Sequence, residues 1–266
     1  MKTLLIASIV LINSIYGQNE QKYNNYQYTT DSLSEIGEFE NAILYLENNL
    51  AQAKNKQNKF DCLGLLCQIN KETENLSEVI TYGHQALQLS KGSKLENLEL
   101  YGDILYNLAV AKYHYGETDS TILYGEKALK QRIKHLKPSH PKIIHNTSSL
   151  GVFHKKIGNI QKCIKLQQQA LKLSLNSVPV DYNSIVIAHF SLANSYKSSH
   201  NLILAQEHLQ KALNYFNDSL STVEIYKAHI YNSLGVISSE LKDIEKSQEY
   251  YFEALRLFTK INPEKV

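Results

Sequence analysis

The chain has 266 residues, with 28 Lys or Arg against 26 Asp or Glu, and a net charge this close to zero argues against a general nucleic-acid binder. Four prolines and eleven glycines leave no room for a long flexible linker. Three cysteines, an odd number, do not make a disulfide framework.

The first element is an address. Lys2 is the only charge before Glu20, the run from Leu4 to Ile12 is mostly apolar, and Gly17 precedes the polar stretch Gln18-Asn19-Glu20. That order reads as a secretory signal peptide over residues 1–17, cleaved near Gly17. The apolar run is shorter than the ~20 residues a bilayer requires. No second long apolar stretch follows, so no membrane span is expected, and no cysteine follows the run to carry a lipid. The expected location is extracytoplasmic, either periplasmic or secreted.

Residues 18–59 read as a degenerate N-terminal repeat or cap. Its second helix is marked by Gly37-Glu38-Phe39 and then Ala42, Leu46 and Leu50, while its first helix, from about Tyr23, is polar. From residue 60 to 266 the chain repeats every 42 residues, with starts near 60, 102, 144, 186 and 228. Leu66, Leu108, Leu150, Leu192 and Leu234 share one register, each followed by a small residue: Cys67, Ala109, Gly151, Ala193 and Gly235. Ala86, Ala128, Ala170, Ala212 and Ala254 share another, each followed by leucine. A third register holds Val79, Thr121, Cys163, Ala205 and Ser247. Several registers held at one spacing indicate a stacked array of helix pairs. Small residues let two helices approach, and the leucines beside them fill the groove. Gly116 and Gly158 mark turns, because a helix often ends on a left-handed residue. Cys67 and Cys163 then read as small buried residues.

This pattern resembles the tetratricopeptide repeat (TPR). Ser149-Leu150-Gly151-Val152-Phe153 through Gly158-Asn159-Ile160 to Gln169-Ala170-Leu171 looks like a nearly complete unit. The period and the connector Lys137-Pro138-Ser139-His140-Pro141 are similar to the longer variant of kinesin light chains and exported bacterial arrays. The resemblance implies an all-α fold: a right-handed solenoid of about six helix-turn-helix repeats whose first helices line a concave groove. It also implies which positions face that groove: Tyr106, Val110, Tyr113 and His114 in the third repeat; Ser148, Val152, Lys155 and Lys156 in the fourth; Phe190, Asn194 and Lys197 in the fifth; Asn232 and Val236 in the sixth. Aromatics supply contact area and Asn bonds an extended backbone, so the expected partner is a protein or peptide. The three lysines favour an acidic one. The lysine, asparagine and arginine set that clamps a C-terminal carboxylate in chaperone-binding relatives is not found.

Charge sharpens this expectation. Between Lys127 and Pro179 there are eleven Lys or Arg and no Asp or Glu, whereas Gln18 to Tyr101 carries twelve acids against seven bases. Such a band steers an acidic partner or aligns neighbouring copies. His135, His140 and His145 are five residues apart, which is not one helical face, so no metal site is expected. No phosphate loop, nucleophile elbow or Cys/His pair stands out, and neither catalysis nor a cofactor is expected. The leading function is a non-catalytic exported scaffold for protein binding. The alternative is the sensory or regulatory part of a larger protein, as in similar arrays joined to sensor histidine kinases, helix-turn-helix regulators or CHAT-type proteases. The last repeat is expected to expose Leu255 and Phe258 as an uncapped end, open to self-association.

Export is expected to depend on the first seventeen residues. N-terminal sequencing of fractionated protein should find an extracytoplasmic chain starting near Gln18, and Leu5→Asp with Ile9→Asp should hold it inside. A cytosolic chain with Met1 intact refutes this.

Overall fold

The structure, a computed structural model, describes residues 21–216 and 224–261; the expected signal peptide, 1–17, lies outside the described residues. The chain divides between His135 and Leu136 into two compact units. The first unit contains α1 (Gln21–Glu35), α2 (Phe39–Gln52), α3 (Lys56–Glu72), α4 (Leu76–Ser90), a short 3-10 turn (Lys94–Asn97), α5 (Glu99–His114) and α6 (Thr118–His135). The second contains α7 (Pro141–Lys156), α8 (Ile160–Leu175), α9 (Tyr182–Ser198), α10 (Leu202–Asn214), α11 (Glu224–Glu240) and α12 (Ile244–Ile261). All regular structure among the described residues is helical, and the helices pack in consecutive pairs, three pairs to a unit. The expected all-α array of about six helix-turn-helix repeats is what forms. First helices begin three or four residues before the starts read from the sequence, so α3 already begins at Lys56 and the boundary at residue 59 falls inside it.

The turn between paired helices has one geometry. Gly37, Glu74, Gly116, Gly158, His200 and Lys242 all adopt a left-handed backbone, with φ between 59° and 77°. From Glu74 onward these residues are 42 apart, although only two of the five are the glycines that mark the turn in the sequence. The following residue, Asn75, Glu117, Asn159, Asn201 or Asp243, donates its N–H to the carbonyl five residues back at 2.8–3.0 Å. The left-handed residue itself donates three residues back at 3.0–3.2 Å. Both bonds satisfy carbonyls orphaned at the helix end. The same following residue opens the next helix. Asn159, Asn201 and Asp243 accept through their side chains from the N–H groups of Lys162, Leu204 and Lys246, each at 3.2 Å. One residue therefore closes the first helix and caps the second. At α7 a different device operates: His140 accepts from the Lys142 N–H through Nδ1 at 3.1 Å, and Pro141 occupies the first helical position, where a missing N–H costs nothing.

Side-chain registers do what their sizes predict. The leucines from Leu66 to Leu234, the small residues after them and the alanines from Ala86 to Ala254 are all buried. Within a repeat the small-residue register meets the third register directly: Cys67 Sγ lies 3.5 Å from the Val79 carbonyl, and Ser247 Oγ donates to the Gly235 carbonyl at 2.9 Å. Successive repeats share core. In the second unit, Val186, Ala193, Leu209, Ala212, Ile230 and Leu234 form one cluster drawn from α9, α10 and α11. In the first unit, Phe60, Leu63, Ala86, Ile104 and Leu108 join α3, α4 and α5. Gly83 makes this approach possible, because a Cβ there would stand 2.7 Å from Leu108 Cδ2. Cys62, Cys67 and Cys163 are buried thiols without disulfides.

Left-handed backbone costs a residue with a Cβ roughly 1 kcal/mol or more, so the three non-glycine turns carry strain that glycine would relieve. Glu74→Gly, His200→Gly and Lys242→Gly are each expected to stabilise the protein by about 0.5–1 kcal/mol, and Gly158→Ala to destabilise it similarly. Urea unfolding followed by circular dichroism measures this. Unchanged midpoints in all four would refute the turn geometry.

Candidate interaction surface

In the first unit the expected groove residues lie on α5. Tyr106 is 6% exposed, with the Arg132 guanidinium 4.4 Å from the centre of its ring. Arg132 is itself buried and donates to Asp103 at 2.8 Å. Tyr106 thus belongs to the packing between α5 and α6 and offers little contact area to a ligand. Val110 and Tyr113 are half-buried and His114 is exposed, its ring edge-on to Tyr113 at 5.7 Å.

In the second unit the expected residues lie on the three first helices, α7, α9 and α11. Val152, Lys156 and Asn232 are exposed, and Ser148, Lys155, Phe190, Asn194, Lys197 and Val236 are half-buried. A cleft of about 470 Å³ opens between α7 and α9. Ser148 and Val152 line it from α7, Ile187 and Ser191 from α9, and Tyr226 reaches it from α11. Ser148 is held in place: its hydroxyl donates to Gln167 Oε1 at 2.8 Å, and Gln167 Nε2 donates back to the Ser148 carbonyl at 2.9 Å. Gly151 gives that amide its room, since a Cβ there would stand 2.7 Å from Gln167 Nε2. Phe190 does not line the cleft, but it packs edge-on against Tyr226 at 5.8 Å and near His229 at 6.5 Å. Of the residues lining the cleft, none is Asp or Glu. Lys155 and Lys156 stand in the last turn of α7, one turn beyond Val152 of the cleft, and Lys197 stands in the last turn of α9, six residues beyond Ser191.

Sequence reasoning missed Tyr226, Ser184 and Lys142, which all line the cleft. They precede the sequence-derived repeat starts by two residues and so read as connector, yet the first helices begin earlier. Their common spacing of 42 was the available signal.

The fold and this surface define an all-α array of TPR-like helix pairs, with a TPR within it. Residues 228–260 match the tetratricopeptide repeat model. The solved BtubC (BKLC) from P. vanneervenii is similar to this chain with a TM-score of 0.70 at 15% identity, over 84% of this chain and 92% of that one. The nearly identical TPR-like repeats of a Podosopora anserina protein described as a kinesin light chain superpose at 0.64 with 14% identity, over 79% of this chain and 99% of that one. A chain of the APC/C hetero-tetramer Cut9-Hcn1 gives a TM-score of 0.64 at 19% identity, over 96% of this chain and 43% of that one. At these identities the likeness shows the fold. A comparison with curated protein sequences finds no match. No described helix is long and apolar enough to cross a membrane, and no group of three or more His, Cys, Asp or Glu among the described residues could hold a metal ion.

One cluster beside this surface has no counterpart in the sequence reading. His189 on α9 and His208 on α10 meet Nδ1 to Nδ1 at 2.9 Å. His189 stacks on Tyr215 at 5.8 Å, and His208 stacks on Tyr196 at 5.5 Å. Burial, then His208, then Lys211 push His189 down from 6.5 to about 4. Burial, followed by Lys211, also lowers His208, with Glu207 opposing. The folded state resists protonation that the unfolded chain accepts, so stability is full above the unfolded value near 6.5 and is lost as pH falls toward 4. The loss between these limits is expected to be of the order of 2 kcal/mol. His189→Phe should flatten this part of the profile in urea titrations; a slope as steep as the parent's would show that the pair does not titrate this way.

Proposed function

We propose that the chain is a non-catalytic scaffold, acting outside the cytoplasm, that binds an extended acidic segment of another protein along α7, α9 and α11. The observation that carries this reading is the cleft between α7 and α9. Its walls combine apolar contact (Val152, Ile187), hydroxyls (Ser184, Ser191) and the ring of Tyr226. An extended backbone presents alternating apolar and hydrogen-bonding groups, and such a lining serves both. Lys155, Lys156 and Lys197 lie at the end of the same helices, where they attract carboxylates over the ~8–10 Å that salt permits. Asn194, half-buried one turn before Lys197 on α9, carries an amide able to donate to and accept from a peptide backbone. The Cut9-Hcn1 assembly, named as a hetero-tetramer, is a protein of similar fold built into a complex. The location rests on the signal-like residues 1–17.

With a partner isolated by pull-down, three variants separate the contributions. Val152→Trp should plug the cleft and weaken binding at least tenfold. Lys155→Glu with Lys156→Glu should slow association, most at low salt. Asn194→Ala should speed dissociation at every salt concentration, because it removes a directed hydrogen bond. Parent-like binding by all three, with loss of binding on changing Lys165 and Lys172 of α8, would move the functional surface to the second helices.

A further inference from the structure

We propose that α12 is a self-recognition surface, pairing antiparallel with α12 of a second copy about a two-fold axis near Phe252. The first observation is a break in register. Leu209 of α10 is 1% exposed, covered by Ile230 and Leu234 of α11, whereas its counterpart Tyr251 is 40% exposed. Leu202 and Leu213 pack partly buried against that same cluster, whereas their counterparts Ile244 and Leu255 are 56% and 50% exposed. The side of the helix that an inner repeat buries is thus open on α12. It is also extended. Phe252 is 71% exposed, at a position where the preceding repeats carry His84, Glu126, Gln168 and Gln210. Four polar residues at one solvated position and a phenylalanine at the fifth place apolar surface where the fold does not require it. A helix advances ~100° per residue. Ala254 and Leu257 face inward and are buried, which sets Phe252 on the opposite side with Leu255 and Ile244 beside it.

The second observation selects the occupant. On the flank of this stripe Glu245 and Glu249 stand in the first half of the helix and Arg256 and Lys260 in its second; Lys246 and Glu253, further round, pair with Asp243 and Arg256. Those on the flank are symmetric about the point between residues 252 and 253. At ~1.5 Å per residue, Glu245 and Lys260 stand about 11 Å on either side of that point, and Glu249 and Arg256 about 5 Å. An antiparallel copy rotated about this point brings Glu245 level with Lys260 of the partner subunit and Glu249 level with Arg256 of the partner subunit. Phe252 then lies against its own equivalent. A parallel copy would leave acids level with acids and bases level with bases, on opposite sides of the contact, and form none of these pairs. Arg256 already pairs with Glu253 at 2.9 Å, but both are exposed and such a pair is worth little, so it does not hold the guanidinium back. In a two-fold interface the same patch must complement itself, and this one does.

A single helix pair buries less than the ~1,200 Å² of a standard interface, so the expected dimer is of micromolar strength. Sedimentation of the chain from about 1 to 300 µM should show a reversible monomer–dimer equilibrium. Phe252→Glu with Leu255→Glu should raise the dissociation constant at least tenfold while circular dichroism stays unchanged. Reversing Glu245 and Glu249 to lysine should weaken dimerisation, as should reversing Arg256 and Lys260 to glutamate. All four reversals in one chain should restore it, since antiparallel pairing is then complementary again. A monomer throughout the range overturns the proposal, and so does a dimer indifferent to Phe252→Glu with Leu255→Glu. A dimer that ignores the charge reversals overturns the antiparallel arrangement.

Discussion

The shared residue between paired helices is the constraint on which the rest of the structure depends. One backbone unit enters the left-handed region, and the next both donates to the end of the first helix and starts the second. The turn reverses the chain, so the second helix of each pair packs back along the first. That return places the eighth and twentieth positions of a repeat opposite one another, and only small residues fit. Cys67 against Val79 and Gly235 against Ser247 are instances of this contact. The pair so formed leaves an apolar side uncovered, and the following pair covers it. Leu209 beneath Ile230 and Leu234 shows the covering complete.

Polar groups inside the array obey the same geometry. Gln167 occupies a position that is Leu209 one repeat later, and its amide exchanges two hydrogen bonds with Ser148 rather than packing against carbon. A buried amide must be satisfied in this way or its desolvation is uncompensated. Arg132 and Asp103 solve a harder case. The ion pair recovers part of the hydration that both groups lose, and the ring of Tyr106 faces the guanidinium. Loss of either partner would strand a buried charge, which is far more costly than the net worth of the pair.

The surface proposed to bind a partner is built from helix positions that the array leaves wet. Its lysines fall in the last turns of α7 and α9, where the helix dipole favours cations whatever else they do. The cleft is a different kind of feature, since no register requires Tyr226 to reach toward α7. It follows from first helices that begin a turn early, so that residues next to the connector point over the groove.

The sequence by itself determined the period, the pairing of helices, the small and large core registers and the two glycine turns, because each rests on local spacing repeated five times. It also indicated that Leu255 would be exposed, and it is 50% exposed. Only the tertiary structure decided the rest. Glu74, His200 and Lys242 enter the left-handed region without the glycine that would announce it, and each forms the same two helix-end hydrogen bonds as the glycine turns. Tyr106 shares a register with groove residues, yet Arg132, 26 positions later, folds across it. Phe258, expected at the open end, turns edge-on to His229 at 5.2 Å, while Phe252 takes the exposed place. His189 and His208 are separated by one helical turn-and-return, a distance that only the packing of α9 on α10 closes. Repetition makes short-range order visible in the one-dimensional chain; contacts between unlike positions of different helices are written only in three dimensions.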